Sequence, residues 1–447
     1  MKYYALYKYI KIFGKYLKNH IAFFFPVCYI LSYRTVVNMT KTEIVEAAFR
    51  VWGRNFYQKT SLSQLAAELG VSKPALYRHF ENKQALTAAM TERFLDDFAS
   101  SIRADIEQTL QTGDADEGIH TIIKSISGHF ARDVYALIFS LINIYERNLD
   151  GPTISQSLKL RGVDMGAVKS IVGKKYSSDT AVIHLLFATL SFFMSYFHKV
   201  MDSIKKPPSG EEIQKIIADI NRVIEYGLGY PAEKVAAMEY DKLEKKVEEL
   251  SIDAEPEPLF RAVAEAVAEA GPWNASMDMV AKRLGLSKSS LYGHFKNKKD
   301  MLRRLFITEF GRIIEFARRG IKLSAMPEEQ LYLGIYSIAV YFRLRPDILI
   351  AISWIRTRKL DLGKPEKKKM EIFRLFEDVD IETIRKGTEG EKQRISNWIL
   401  FLLINVLTRP SMTENETPVD CPLKNVQNND IRALFKFITL GLGGFKR

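Results

Sequence analysis

The chain has 447 residues, of which 47% are hydrophobic and 26% charged, and its formal net charge is +12 at pH 7. This length is enough for two to four domains, and this hydrophobic content allows each of them a core. Only two cysteines occur, Cys28 and Cys421. They exclude a disulfide framework and a CxxC metal pattern, which fits a reducing, cytoplasmic compartment.

Residues 1–38 form a leader that differs from the rest of the chain. The segment is rich in Tyr and Phe, has six basic side chains and no acidic one, and contains an apolar run from Ile21 to Leu31. Pro26 interrupts this run, which is too short for a good membrane-spanning helix, and no Ala-x-Ala-like cleavage site follows. We expect a mis-assigned start or a disordered segment, with translation starting at Met39; the alternative is a membrane anchor.

The next stretch predicts a helix-turn-helix. An apolar stripe over residues 44–52 indicates a first helix, and helical spacing of apolar residues over 62–69 indicates a second. Gly70 suits the sharp turn that follows, because glycine adopts left-handed backbone without strain. Ser72 is placed to cap a short third helix with Pro74 in its first turn. In a helix-turn-helix, this last helix enters the DNA major groove.

The same pattern occurs twice, 215 positions apart. The first copy reads LAAELGVSKPALYRHFENK over residues 65–83, and the second reads VAKRLGLSKSSLYGHFKNK over residues 280–298. In the first copy we expect the third helix to continue to Asn82 and a fourth to start at Leu86. A repeat of this length indicates a duplicated functional unit.

Both copies resemble the DNA-binding domain of TetR-type transcriptional regulators. The ending Leu-Tyr-x-His-Phe-x-x-Lys is much more specific than a generic helix-turn-helix. The resemblance is sharp over about residues 40–100 and 257–316 and architectural beyond them. It implies an all-α fold of tandem TetR-like protomers, each with a helix-turn-helix DNA-binding domain and a helical regulatory domain.

The resemblance also implies roles for individual residues. Bases would be read from the start of the recognition helix, by Lys73, Pro74, Ala75 and Arg78 in the first copy and Lys288, Ser289, Ser290 and Gly293 in the second. Phosphates would be held by Tyr77, His79, Lys83, Tyr292, His294 and Lys298. The hydroxyl residues that open the preceding helix, Ser61 and Ser276, would touch the DNA backbone. A single Tyr or His in such a helix is usually a core or surface residue, but the repeated spacing favours DNA contact; Phe80 and Phe295 are expected in the core.

The repeat extends beyond the DNA-binding units. Longer helical stretches follow them, over residues 101–230 and 317–447, and both stretches end alike, in YGLG at 226–229 and LGLG at 440–443. The resemblance implies that the last two helices of each half form a four-helix bundle. The segments concerned are His184–Val200, Glu211–Gly227, Ser396–Thr408 and Asp430–Leu440. The alternative is that each pair closes the core of its own half.

A charged linker, residues 231–257, joins the halves. Its segment Glu239–Leu250 predicts a solvated helix that ends at Glu255-Pro-Glu-Pro258. The expected domains are thus a leader 1–38, DNA-binding domains 39–100 and 258–316, regulatory domains 101–230 and 317–447, and this linker.

The distribution of charge supports DNA as the partner. The leader carries +6, residues 40–86 carry +3 and residues 258–303 carry +4, which leaves −1 for the remainder. Outside the leader, the positive charge therefore lies on the two helix-turn-helix units, where phosphates would be bound.

These observations predict a ligand-responsive transcriptional regulator of the cytoplasm, most simply a repressor, that binds one operator with unequal half-sites as a single-chain pseudo-dimer. We expect a small apolar or amphipathic effector, no metal or other cofactor, no stable membrane association and no required homodimer. An enzyme is disfavoured, because the sequence contains no HExxH motif, no phosphate-binding Gly loop and no recognisable nucleophile–base set. Two alternatives stay open: a membrane-tethered helical sensor, and a regulator with only one active DNA-binding head.

Overall fold

The computed structural model describes residues 39–54, 57, 61–145, 151–176, 209–250, 258–357, 375–376, 379, 389–408 and 426–446. Over these residues the chain is helical, apart from turns, connecting segments and an isolated bridge between Tyr176 and Lys446. The predicted all-α fold is therefore confirmed. The leader and the predicted bundle helix His184–Val200 lie outside the described residues.

Each half begins with three short helices and continues with a long one. The helices of the first half are α1 Lys41–Gly53, α2 Leu62–Leu69, α3 Lys73–Tyr77, α4 Lys83–Thr112, α5 Ala115–Arg132, α6 Val134–Tyr145, α7 Gly151–Leu160, α8 Met165–Lys175 and α9 Gly210–Tyr226. The linker contains α10 Ala232–Ala236 and α11 Tyr240–Glu248. The helices of the second half are α12 Pro258–Asn274, α13 Met277–Leu284, α14 Lys288–His294, α15 Lys298–Ile321, α16 Pro327–Leu344, α17 Pro346–Thr357, α18 Glu389–Leu407 and α19 Asn428–Leu440, followed by a 3₁₀ turn over Gly441–Phe445.

In each half we call the helix-turn-helix unit the head and the helices that follow it the body. The long helices α4 and α15 connect each head to its body without a break. They run through the expected domain boundaries at residues 100 and 316, so head and body share one helix in each half. Helix α4 buries one face from Leu86 to Ile106, and α15 buries one face from Met301 to Ala317. Because a continuous helix transmits movement along its axis, head orientation depends on how these faces pack.

The two halves are joined by main-chain hydrogen bonds near their ends. Helix α9 of the first half packs on α19 and on the closing 3₁₀ turn of the second. Just after α9, the Leu228 amide donates to the Ile438 carbonyl at 2.8 Å, and the Tyr230 amide donates to the Thr439 carbonyl at 3.1 Å. The predicted segments Glu211–Gly227 and Asp430–Leu440 thus lie against each other across the halves.

Two glycines make this close approach possible. Gly227 and Gly441 end their helices with the same positive φ of 58°. A Cβ at Gly227 would lie 2.6 Å from the Gly441 nitrogen, and a Cβ at Gly441 would lie 2.5 Å from the Ile224 carbonyl oxygen. Both the backbone conformation and the contact therefore require glycine at these two repeat-related positions.

The linker helix α11 is docked on the second half, so the expectation of a solvated helix is wrong. Leu243 and Val247 are buried, and Glu244 is only 4% exposed. The Glu244 carboxylate accepts hydrogen bonds from three side chains of the second half: Tyr332, Asn428 and Arg432. The charged sequence of α11 concealed this, because one buried carboxylate can be stabilised by several donors from helices that lie far apart in the chain.

Among the described residues, no helix combines the length and the apolar character that crossing a membrane requires.

Candidate nucleic-acid interface

In the first head, local capping fixes the helix-turn-helix. Ser61 caps α2 by accepting from the Gln64 amide at 3.0 Å, and Ser72 caps α3 by accepting from the Ala75 amide at 3.3 Å. Between them Gly70 has a φ of 67°, which turns the chain sharply as its sequence position predicted. Capped helices joined by a left-handed glycine hold the start of α3 at the surface.

The second head repeats this geometry. Ser276 accepts from the Met279 amide at 3.2 Å, and Ser287 accepts from the Ser290 amide at 3.1 Å. The turn residue Gly285 has a φ of 64°. The core residues correspond as well: Phe80 is 5% exposed and Phe295 is 1% exposed, which confirms that both are core residues.

The recognition helix is shorter than predicted in the first head. Helix α3 ends at Tyr77, and Asn82 is instead the N-cap of α4, where its side-chain oxygen accepts from the Ala85 amide at 2.8 Å. Helix α4 therefore starts at Lys83, three residues earlier than expected. Asn297 caps α15 in the same way, through the Asp300 amide at 2.9 Å. The asparagine was misassigned because its role depends on the backbone that follows it.

The predicted contact residues cluster at the surface of each head. Lys73, Pro74 and Arg78 are exposed around α3, with Ala75 and His79 half-buried. The exposed residues around α14 are Lys288, Ser289, Ser290, Tyr292, Gly293 and His294. The two tyrosines are unusually open for large rings, with Tyr77 43% exposed and Tyr292 48% exposed. An exposed aromatic hydroxyl beside basic residues suits phosphate binding.

The lysines have different surroundings in the two heads. Lys73 Nζ lies 5.7 Å from the centre of the Tyr77 ring, and Lys83 Nζ lies 5.9 Å from that of Trp52. In the second head, Lys298 is half-buried, and burial lowers its pKa. Lys288 donates to the Asp278 carboxylate at 2.9 Å, and this hydrogen bond raises the lysine pKa.

Asp278 is the residue of this surface that the motif did not single out. It lies in the first turn of α13, ten residues before Lys288. The first head has Ser63 at the corresponding position, 215 residues earlier. Alignment of the two copies would have revealed the difference, but only the structure brings this carboxylate to the recognition helix.

A cleft in the first regulatory half is a candidate effector site. It has a volume of about 310 Å³ and lies between α4, α5 and α9. Most of the residues that line it have polar side chains, among them Asp105, Lys124 and Arg132. The expected apolar or amphipathic effector stays a prediction. Among the described residues, no group of three or more His, Cys, Asp or Glu side chains is arranged to hold a metal ion.

Comparison with known families identifies both heads. The family of bacterial regulatory proteins called the tetR family matches residues 44–90 and again residues 259–305. These two matches are themselves 215 positions apart, so the sequence repeat and the family matches coincide.

Similar proteins include both a transcriptional repressor and a transcriptional activator. The chain is 36% identical over 77 residues to the fatty acid metabolism regulator protein of Bacillus subtilis, covering 17% of this chain and 40% of the relative. It is 28% identical over 121 residues to the transcriptional repressor ComR of Escherichia coli, covering 26% and 55%. It is 33% identical over 67 residues to the transcriptional activator FasR of Mycolicibacterium smegmatis, covering 15% and 31%. The alignments thus span about a third to a half of each relative.

Proposed function

We propose that this chain, which carries two DNA-binding domains of the tetR family, is a transcriptional regulator that binds one operator with both heads of a single molecule. The observation that carries the proposal is the junction of the halves through Gly227 and Gly441. In this arrangement the second half takes the place that a second copy would take in an ordinary dimer. The two recognition helices would then occupy successive major grooves, ~34–36 Å apart.

The operator has unequal half-sites in this proposal. Palindromic operators match two identical recognition helices, whereas these helices differ at three positions of expected base contact. The paired residues are Pro74 and Ser289, Ala75 and Ser290, and Arg78 and Gly293. The expected phosphate-holding residues are the same in both copies, so docking would be similar while base readout differs.

An effector in one or both bodies would change the spacing of the heads through α4 and α15. Such an effector acts by binding one head spacing better than another, and its differential affinity limits the change in operator affinity. A small apolar or amphipathic molecule is in keeping with a similar protein that regulates fatty acid metabolism. Repression is the simpler outcome, because a protein that occupies a promoter blocks it. Reporter transcription from the promoter that carries the native operator, measured with and without the protein, tests the sign, which the proposal expects to be negative.

Stoichiometry tests the central claim. DNA selected from a random pool should contain two different half-sites, and light scattering should show one chain per minimal duplex. Two chains on that duplex, or a perfect palindrome, would contradict the proposal. A single unpaired half-site would mean that only one head is active.

A glycine pair tests the role of the junction. Gly441→Ala should weaken binding to the two-half-site operator, because the new Cβ meets the α9 backbone and the positive φ is strained. Gly443→Ala is the matched control, since only the Glu225 carbonyl oxygen lies within reach, at 4.0 Å. Equal operator affinity of both variants, each folded, would show that the junction does not set head spacing.

A further inference from the structure

We propose that Asp278 competes with DNA for the Lys288 ammonium group and thereby lowers the affinity of the second head for its half-site. The proposal rests on the proposed function and adds to it a residue that sets the balance between the heads. Its basis is an ion pair in the second copy between two residues of which one, Asp278, is replaced by Ser63 in the first copy.

The ion pair joins the two helices of the second helix-turn-helix. Asp278 is in the first turn of α13, and Lys288 is the first residue of α14. Their side chains meet at 2.9 Å, and more than half of each is exposed, 63% of Asp278 and 53% of Lys288. A phosphate or a base edge that approaches the start of α14 therefore meets a lysine whose charge is already engaged.

The first head has a different residue at the corresponding position. At the position of Asp278 it has the neutral hydroxyl of Ser63. Within the described part of the first head, the Lys73 ammonium group lies over the Tyr77 ring, 5.7 Å from its centre. A cation over a ring keeps its full charge for a phosphate, whereas a cation bonded to a carboxylate must exchange one anion for another.

The difference matters because the second head is otherwise the more basic one. Residues 276–298 carry five basic side chains and one acidic one, whereas residues 61–83 carry three and two. One surplus cation, Arg283, is held by Glu269 and Glu265 of α12. Asp278, the one acidic side chain of residues 276–298, engages Lys288, so both Arg283 and Lys288 have carboxylate partners before DNA arrives.

The remaining charged neighbours do not replace Asp278. The Asp300 carboxylate accepts a hydrogen bond from the Lys296 amide at 3.1 Å and pairs with Arg304, while the Asp300 amide donates to the Asn297 side chain. Its carboxylate is thus directed to the cap of α15. Within the described second head, Asp278 is the carboxylate that the structure places on the recognition lysine.

The experiment measures operator affinity against salt for variants of the full chain. Asp278→Ser gives the second head the residue of the first, and Asp278→Asn keeps the shape without the charge. Both should tighten operator binding about two- to five-fold, as expected for freeing one exposed ion pair. The slope of log affinity against log salt should steepen by up to about 0.9, the value for one additional phosphate contact.

Two further variants make the proposal specific. Ser63→Asp should weaken binding at the other half-site, because it gives the first head the carboxylate that the second head has at the corresponding position. In a Lys288→Ala background, Asp278→Ser should lose most of its effect. These side chains are exposed, so melting temperatures should stay unchanged and the variants should remain folded.

The outcomes separate this proposal from the proposed function. A parent protein that binds no DNA would remove both. Tighter binding by Asp278→Ser that persists in the Lys288→Ala background would overturn the competition, because Asp278 would then repel phosphates directly. Weaker binding confined to the second half-site would overturn it too, since Asp278 would then be reading a base.

Discussion

At one equivalent position, the two halves hold their long helices α4 and α15 by different interactions. The first half uses an aromatic cluster, and the second uses a hydrogen-bonded carboxylate. Phe94 in α4 lies 5.5 Å from the Phe139 ring and 5.8 Å from the Phe98 ring, centre to centre. The equivalent residue in α15 is Glu309, which is fully buried. Its carboxylate accepts from the Tyr341 hydroxyl at 2.6 Å and lies 3.4 Å from Arg345. The two copies thus share the residues that are expected to hold phosphates, while the interior behind these residues differs.

The two anchors differ in how strictly they fix a helix. Aromatic pairs are favourable over a range of ring separations, about 4.5–7 Å, so an aromatic cluster tolerates small shifts of α4. Hydrogen bonds to a buried carboxylate are directional, and a shift of α15 would leave buried polar groups unpaired. We therefore expect the second head to be held more rigidly than the first.

The largest expected effect is a loss of stability on substitution of Phe94 in the aromatic cluster of α4. Phe94→Ala should lower the free energy of unfolding by about 3–5 kcal/mol, because it leaves a cavity among rings that cannot fully close it. Chemical denaturation followed by circular dichroism measures the loss. Phe94→Leu is the control and should cost much less. A small loss for the alanine variant would mean that the cluster collapses around the gap.

Substitution of Glu309, the buried carboxylate of α15, should cost less stability. Glu309→Leu removes the partner of the buried Tyr341 hydroxyl and should cost about 1–3 kcal/mol. The loss is smaller because Arg345 keeps its contact with Asp347 at 2.8 Å. Adding Tyr341→Phe should restore part of the stability, since no hydroxyl is then left unpaired. If the double variant recovers no stability, the unpaired Tyr341 hydroxyl is not the cause of the loss.

A loss of stability that depends on pH is expected at Glu244, where the linker helix α11 meets the second half. Burial alone raises the pKa of Glu244, but hydrogen bonds from Arg432, Tyr332 and Asn428 outweigh it and hold the pKa below the ordinary value of 4.5. A lowered pKa means that the ionised group stabilises the folded state. This contribution is complete at pH values above the ordinary pKa, and it is lost as the pH falls through the lower pKa that the group has in the folded state. Stability curves of the parent and of Glu244→Gln should therefore converge as the pH drops below about 4.5.

The last of these effects concerns the affinity of one head for DNA and leaves the stability of the fold unchanged. Arg78→Ala should weaken binding at one half-site only, by ~1–3 kcal/mol if the arginine reads a base. The second head has Gly293 at this place and no side chain to lose. Binding assays on duplexes that carry each half-site twice measure the two heads separately. Equal losses on both duplexes would contradict a division of readout between the heads.

The heads could be predicted from the sequence because their determinants are local. Ser72 and Ser287 cap the helix that begins at the next residue, and Gly70 and Gly285 terminate the helix just before them. A cap acts over three or four residues, so its signal lies within one short segment. The repeat then assigned the second copy from the first.

The partners of buried and exposed charges were decided only by the tertiary structure. Glu244 looked like a solvated residue, yet its partners Asn428 and Arg432 lie 184 and 188 residues away. Glu309 meets Tyr341 across 32 residues, and Lys288 meets Asp278 from a different helix. The energy of a charge depends on what surrounds it in space, and periodicity along one helix carries no information about donors on another. The sequence alone therefore determined the two heads, whereas packing determined how they are held and how their charges are shared.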